Sequence, residues 1–185
     1  MFRNLPARIA RSLPRLDAPP AVGDLRVALA LALVLGLAPA TGPARADGLS
    51  LGVTAEGVAH PMSQRIALDQ LAAMPQAEVR AVTPWTEGEV TFAGVAFQTL
   101  AHSLGVAGGK VVLRALNAYE ITLNTAQVIE DGGVLATRMN GKPIPIRDKG
   151  PVWLVFPSAE RPDLASADKA HMWIWQVDEI RFLAQ

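Results

Sequence analysis

The sequence predicts an α+β domain, mixed but mainly β-sheet, with two or three short helices behind a secretory leader. Three observations carry that expectation. Apolar residues come in short runs punctuated by Gly, Pro and one Asn-Gly pair, as in chains of short strands. Helical periodicity is confined to brief segments such as FQTLAHSL at 97–104. The run VWLVF at 152–156 is apolar throughout, which marks a strand buried on both faces.

Each element has a local reason. LSLGVT at 49–54 reads as a first strand, and the segment that follows Ile66 reads as a short helix over 68–73, stopped by Pro75. EVRAVT at 78–83 is rich in β-formers and ends at Pro84, and Glu87-Gly88 forms a turn before VTF at 90–92. Phe97, Leu100 and Leu104 share one helical face that Gly105 closes. KVVLRAL at 110–116 and YEITL at 119–123 read as adjacent strands joined by a tight Asn117-Ala118 turn. Asn124 or Thr125 caps a helix through Glu130, and Asp131-Gly132-Gly133 breaks it. VLATRM at 134–139 turns at Asn140-Gly141 into KPIPI at 142–146, an edge segment because its prolines cannot donate to two neighbours. Residues 157–169 read as a polar loop, and the alternation that starts at Trp173 predicts a last strand over 173–183.

Residues 1–46 read as a secretory signal segment and 47–185 as a single domain. Arg3, Arg8, Arg11, Arg15 and Arg26 crowd the start, the apolar run Val27–Ala38 follows, and Ala44 and Ala46 bracket Arg45. That run spans about 18 Å as a helix against a ~30 Å hydrocarbon core, so no permanent membrane span is expected. The absence of a twin-arginine pair favours general secretion, and the expected location is the periplasm or the exterior.

Composition removes several classes of function. The whole chain has 17 basic and 17 acidic side chains, and residues 47–185 retain 11 and 15 of them. A mildly acidic domain has no electrostatic case for binding nucleic acid. With no cysteine, disulfides, thiolate metal ligands and cysteine nucleophiles are excluded. His60, His102 and His171 share neither of the short spacings that a metal pair needs. Ser63, Ser103, Ser158 and Ser166 lie in no G-x-S-x-G elbow. GVAGG at 105–109 leads into a strand rather than a helix, so it reads as a turn and not as a phosphate cradle.

One polar cluster stands apart. Arg138, Asn140, Lys142, Arg147, Asp148 and Lys149 fall between two apolar strands, where their donors could hold an anion. Trp85, Trp153, Trp173 and Trp175 are expected in the core or lining a pocket.

Five stretches together resemble the sulfite-oxidase-type molybdopterin-binding oxidoreductase domain family, in its small exported bacterial form. They are ALDQLAAMPQ at 67–76, TPWTEGEVTFAGVAFQTL at 83–100, ALNAYEITL at 115–123, GVLATRMNGKPIPIRDKGPVWLVFP at 133–157 and WIWQVDEIRF at 173–182. The resemblance implies a mixed α+β fold built around β-sheets, and molybdopterin as the family's cofactor. It also implies a cysteine ligand to molybdenum where this chain, aligned on Trp85, has Ala81. Lys149 stands where the family has a histidine, and Trp153 where it has an arginine. The loop that holds the pterin phosphate is here LASADKAHMW, with the single lysine Lys169.

The expectation is therefore a domain that has lost its molybdenum site and acts as a ligand- or partner-binding module, with no metal, no cofactor and no catalytic residue assigned. Its partner would be a small anionic ligand or a periplasmic or membrane protein, met by Trp85, Asn117, Tyr119, Arg138, Asn140, Arg147 and Lys149. The alternative is a cysteine-free molybdopterin-dependent oxidoreductase, using an oxygen ligand such as Thr83 or acting with a partner subunit. A third reading is a hydrolase or lyase activity on the arginine-rich hairpin.

Overall fold

A computed structural model describes residues 48–184. The expected signal segment lies outside the described residues. In chain order the elements are β1 (Ser50–Glu56), β2 (Met62–Ala67), α1 (Leu68–Ala73), β3 (Gln76–Val82), β4 (Glu89–Ala96), α2 (Phe97–Ser103), β5 (Lys110–Ala115), β6 (Glu120–Asn124), α3 (Thr125–Glu130), β7 (Val134–Met139), β8 (Lys142–Pro143), β9 (Trp153–Val155) and β10 (Val177–Leu183). This is the mainly β, α+β architecture that the sequence predicts.

The strands form two sheets. One runs β2-β1-β10-β5-β6, and the other runs β3-β4-β7-β8 with β9 also on β7. Within the first sheet β1 and β10 are parallel, with Val53 opposite Ile180, and the remaining pairs of both sheets are antiparallel. One buried cluster draws on both sheets, with Leu51, Phe182 and Leu113 from the first and Phe92, Leu135 and Trp153 from the second. Phe97 of α2 packs on Phe182 at 5.5 Å, and Phe92 meets Trp153 edge-on at 5.2 Å.

Local chemistry explains the helix ends. The Asn124 side chain accepts from the backbone N–H of Gln127 at 3.1 Å and starts α3. α1 is held at its start by Gln70, whose side-chain oxygen accepts from Ala67 N at 2.9 Å. After α2, Gly105 takes a left-handed φ of 69°, and Val106 N donates back to Ala101 O at 2.9 Å. In β4, a Cβ on Gly94 would collide with the carbonyl oxygen of Leu135 in β7, so only glycine allows the strands this close.

Three stretches differ from the sequence expectation. MSQRIA at 62–67 forms β2, an edge strand that periodicity hides because Ser63, Gln64 and Arg65 are all exposed. The last strand begins at Val177, not Trp173. Trp173 and Ile174 are both buried, so their burial does not alternate, and Gln176 turns the chain with a left-handed φ of 56°. The edge segment after Asn140-Gly141 is also shorter than its apolar pattern. Only Lys142–Pro143 pairs with β7, and a 3-10 turn follows at Ile146–Asp148.

Candidate functional site

Three irregular segments meet at one end of the sheets. The β5–β6 turn closes with Ala118 N donating to Ala115 O at 2.9 Å and Ala115 N to Tyr119 O at 2.8 Å. The Asn117 side chain accepts from Tyr119 N at 3.1 Å, a local bond that lets Ala118 sit at φ 65°. From the segment before β10, Gln176 O accepts from Leu116 N at 2.9 Å. Gln176 N in turn donates to Lys149 O at 3.0 Å, and its side-chain amide donates to Ile146 O at 2.8 Å. Lys149 itself has φ 76°. Ala118, Lys149 and Gln176 thus all hold left-handed backbone where non-glycine residues are strained, each by about 1–3 kcal/mol.

An aromatic cleft of about 330 Å³ opens between these segments. Trp85, Tyr119, Trp173 and Trp175 wall it, with Ala115, Asn117, Ala170, His171 and Ile174. The indoles brace one another: Trp85 stands 5.6 Å from Trp175 in an edge-on contact and 6.1 Å from Trp173. Behind them, buried Trp153 meets Trp175 edge-on at 6.2 Å, and Phe156 meets Trp173 at 5.5 Å. Trp173 is further fixed by its indole N–H, which donates to Leu164 O at 2.9 Å. Trp85 is set by the turn after β3, where its backbone N–H donates to the Thr83 hydroxyl at 3.1 Å.

The polar groups of the cleft have defined roles. His171 Nδ1 lies 2.8 Å from the carbonyl oxygen of Asp168, which only accepts, so Nδ1 carries the proton. In the neutral ring Nε2 is then an acceptor. Asn117 spends its oxygen on Tyr119 N and keeps its amide N–H groups as donors. Lys149 Nζ lies 5.7 Å from the Trp153 ring and 6.0 Å from the Trp175 ring, within cation–π range of both. Among the described residues no carboxylate forms a salt bridge with it.

The loop that supplies His171 and Trp173 is held by charge. Arg161 reaches the buried Asp131 carboxylate at 2.9 Å, and Lys169 reaches Asp163 at 3.0 Å. The Lys169 hydrogen bond holds the Asp163 carboxyl below the usual carboxylate range, with the Lys169 and Arg161 charges adding to it. Asp168 is also lowered, first by the Ser166 hydroxyl and then by backbone hydrogen bonding.

The structure distributes the sequence-predicted residues unevenly. Trp85, Asn117 and Tyr119 line the cleft, and Lys149 stands at its Trp175 flank. Arg138, Asn140 and Arg147 are not among the residues that line it. Arg138 donates to Gly141 O at 3.3 Å within its own hairpin. Asn140 accepts from Thr91 N at 3.1 Å and so ties the hairpin to β4. Arg147 is 85% exposed beside Asp148. Sequence reasoning did not place His171, Trp173 or Trp175 at this site, because a long-range contact between the loop before β10 and the β5–β6 turn assembles it.

Ala81 lies in β3 opposite Val90, is fully buried in the core, and is not among the residues lining the aromatic cleft. Thr83 is buried too, and its hydroxyl is engaged with the Thr86 hydroxyl at 2.9 Å and with Trp85 N. Among the described residues no group of three or more His, Asp or Glu side chains is arranged to hold a metal ion. No helix among them is long and apolar enough to cross a membrane. A second hollow of about 360 Å³ lies along β3 and includes Glu78, Thr91 and Pro157. Its Arg80 is bound by Glu160 at 2.6 Å and Glu89 at 3.2 Å, so the positive charge there is already compensated.

Comparison with known proteins agrees with this fold. The sulfane dehydrogenase SoxCD from Paracoccus pantotrophus has a similar structure, with a TM-score of 0.56 and 18% sequence identity over 74% of this chain. The match covers 38% of the SoxCD chain, so this protein spans well under half the length of that relative. No curated protein sequence matches. The profile of the oxidoreductase molybdopterin binding domain matches residues 41–160. The chain belongs to the oxidoreductase molybdopterin binding domain family.

Proposed function

We propose that this domain is an exported binding module that keeps the scaffold of its family but no longer carries the molybdenum site. The observation that carries the reading is Ala81. Its methyl has no lone pair to donate to a metal, it sits in a closed core, and no cysteine elsewhere in the chain can replace the thiolate. The Thr83 hydroxyl, the oxygen ligand that a cysteine-free site would use, is committed to Thr86 and Trp85. Lys169, the single lysine of the loop that would meet a pterin phosphate, is committed to Asp163. The donor set therefore does not fit a thiolate-held molybdenum.

What remains is a rigid aromatic cleft. Its walls rest on strained turns that the surrounding hydrogen bonds over-determine, an arrangement suited to presenting a preformed binding surface. The ligand or protein partner meets Trp85, Asn117, Tyr119 and Trp175, with Lys149 beside them. Export to the periplasm or beyond follows from the order of charge, apolar run and A-x-A site in residues 1–46.

The test is the molybdenum and pterin content of protein purified from its own cells, together with its N-terminal residue. The expected result is a colourless protein without stoichiometric molybdenum, beginning at Asp47. Molybdenum near one equivalent would overturn the loss of the metal site, and an intact N-terminus on protein recovered from the cytoplasm would overturn export.

A further inference from the structure

We infer that the aromatic cleft takes a small planar aromatic acid, its ring lying against the indoles and its carboxylate meeting Lys149. This rests on the binding-module reading and deepens it by naming the ligand chemistry.

Size and shape come first. About 330 Å³ is at the small end of ligand sites, room for a one- or two-ring molecule rather than a chain or an oligomer. Four of the nine lining residues are aromatic and three more are Ala or Ile, so most of the wall offers flat or apolar contact. A sugar of this size would need a hydrogen-bonding partner on each edge. The side chains supply only the Asn117 amide, His171 Nε2, the Tyr119 hydroxyl and the indole N–H groups of Trp85 and Trp175. A flat ring needs few such partners and gains from stacking.

Charge then decides the substituent. No Asp or Glu lines the cleft, so nothing there would compensate a ligand cation. Of the rings that line the cleft, Trp175 already has a cation near it: Lys149 Nζ lies 6.0 Å from its centroid and 5.7 Å from that of buried Trp153 behind it. That ammonium has no carboxylate partner among the described residues. It repels a second cation and attracts an anion. The unspent Asn117 amide N–H groups are donors of the same preference. Lys149 is also held in place, because its carbonyl accepts from Gln176 N and its left-handed backbone is part of the interlocked turn.

The probes are three molecules of matched size titrated calorimetrically into the purified full chain: 2-naphthoate, 2-naphthylmethylammonium and cyclohexanecarboxylate. 2-Naphthoate is expected to bind saturably at one site, and to weaken with added salt. The ammonium probe, and the non-planar acid, should each bind about tenfold more weakly or not at all. Lys149→Asn removes the charge with a residue that tolerates left-handed backbone, and should abolish the preference for naphthoate over the ammonium probe. Trp85→Ala should abolish binding of both, with circular dichroism confirming that the variant is folded. Equal or tighter binding of the ammonium probe would overturn the charge assignment, and equal binding of cyclohexanecarboxylate the planar one. If the protein is folded and free of molybdenum yet binds none of the three, this inference fails while the binding-module reading stands. Stoichiometric molybdenum in the same preparation would overturn both.

Discussion

The backbone N–H of Gln176 donates to the carbonyl oxygen of Lys149 at 3.0 Å, and both residues hold left-handed backbone. The pair locks the loop after the β7–β8 hairpin to the segment before β10. A further bond from Leu116 N to Gln176 O adds the β5–β6 turn to the same assembly. The cleft wall is thus a tertiary construction in which each strained turn is held by the next.

That dependence can be measured at Gln176. A β-branched side chain in left-handed backbone is a strong outlier, and Gln176→Val also loses the amide bond to Ile146 O. Gln176→Val should cost about 2 kcal/mol or more in urea denaturation. Gln176→Gly loses the same amide bond and gains unfolded-state entropy, but it relieves the backbone strain. Its cost should therefore stay within about 1 kcal/mol. Equal costs for the two variants would show that the left-handed conformation is not what matters there.

Restoring a thiol should not restore a metal. Ala81→Cys places a sulfur in a fully buried position of β3, where overpacking costs about 1 kcal/mol or more. The groups that would orient a cofactor are still missing, since Lys149 lies over indole rings and Lys169 is bound to Asp163. Elemental analysis of the variant, expressed in cells that make the cofactor, should find no stoichiometric molybdenum. Metal at one equivalent would show that Ala81 alone separates this chain from a molybdenum protein.

Local signals made much of the fold readable, and long-range contacts account for what was missed. Pro75 after a short apolar segment marks the end of α1, and the Asn124 cap marks the start of α3, because both act within a turn of themselves. β2 was hidden because its pairing with β1, Leu51 against Ile66, leaves polar residues outward at an edge. The same division runs through the site. Asn117 and Tyr119 announce themselves through their turn, whereas His171 and Trp173 reach the cleft only by the packing of a distant loop. In the hairpin, Arg138 donates to Gly141 O and the Asn140 side-chain oxygen accepts from Thr91 N, and neither bond can be read from the sequence.

The distant loop has its own anchor in Asp131. Its carboxylate is 1% exposed and is held by Arg161 at 2.9 Å and by Gln127 at 2.9 Å. Arg161→Leu removes the cationic partner and leaves a buried charge, which should cost about 2–3 kcal/mol. Adding Asp131→Asn removes the stranded charge, so the double variant should recover most of that loss. Additive costs in the two variants would show that the carboxylate and the guanidinium do not depend on each other.

Acid should loosen this loop through Asp163. The hydrogen bond from Lys169 lowers its folded pKa, and the neighbouring Lys169 and Arg161 charges act in the same direction. A lowered folded value means the stabilisation is complete above the ordinary unfolded pKa and is lost as pH falls through the folded one. The window therefore lies below about pH 4, where an unfolded aspartate begins to take up its proton. Asp163→Asn cannot make the charged contact at any pH. Its melting temperature should be lower than that of the unmodified protein near neutrality, and the gap should close as the pH approaches about 2. Added salt should narrow the gap at neutral pH, because the carboxylate is exposed. Trp173 donates to Leu164 O in this loop, so its fluorescence should shift over the same acid window in the unmodified protein and less in Asp163→Asn. A melting gap that stays constant from neutrality into acid would rule out Asp163 as the titrating anchor.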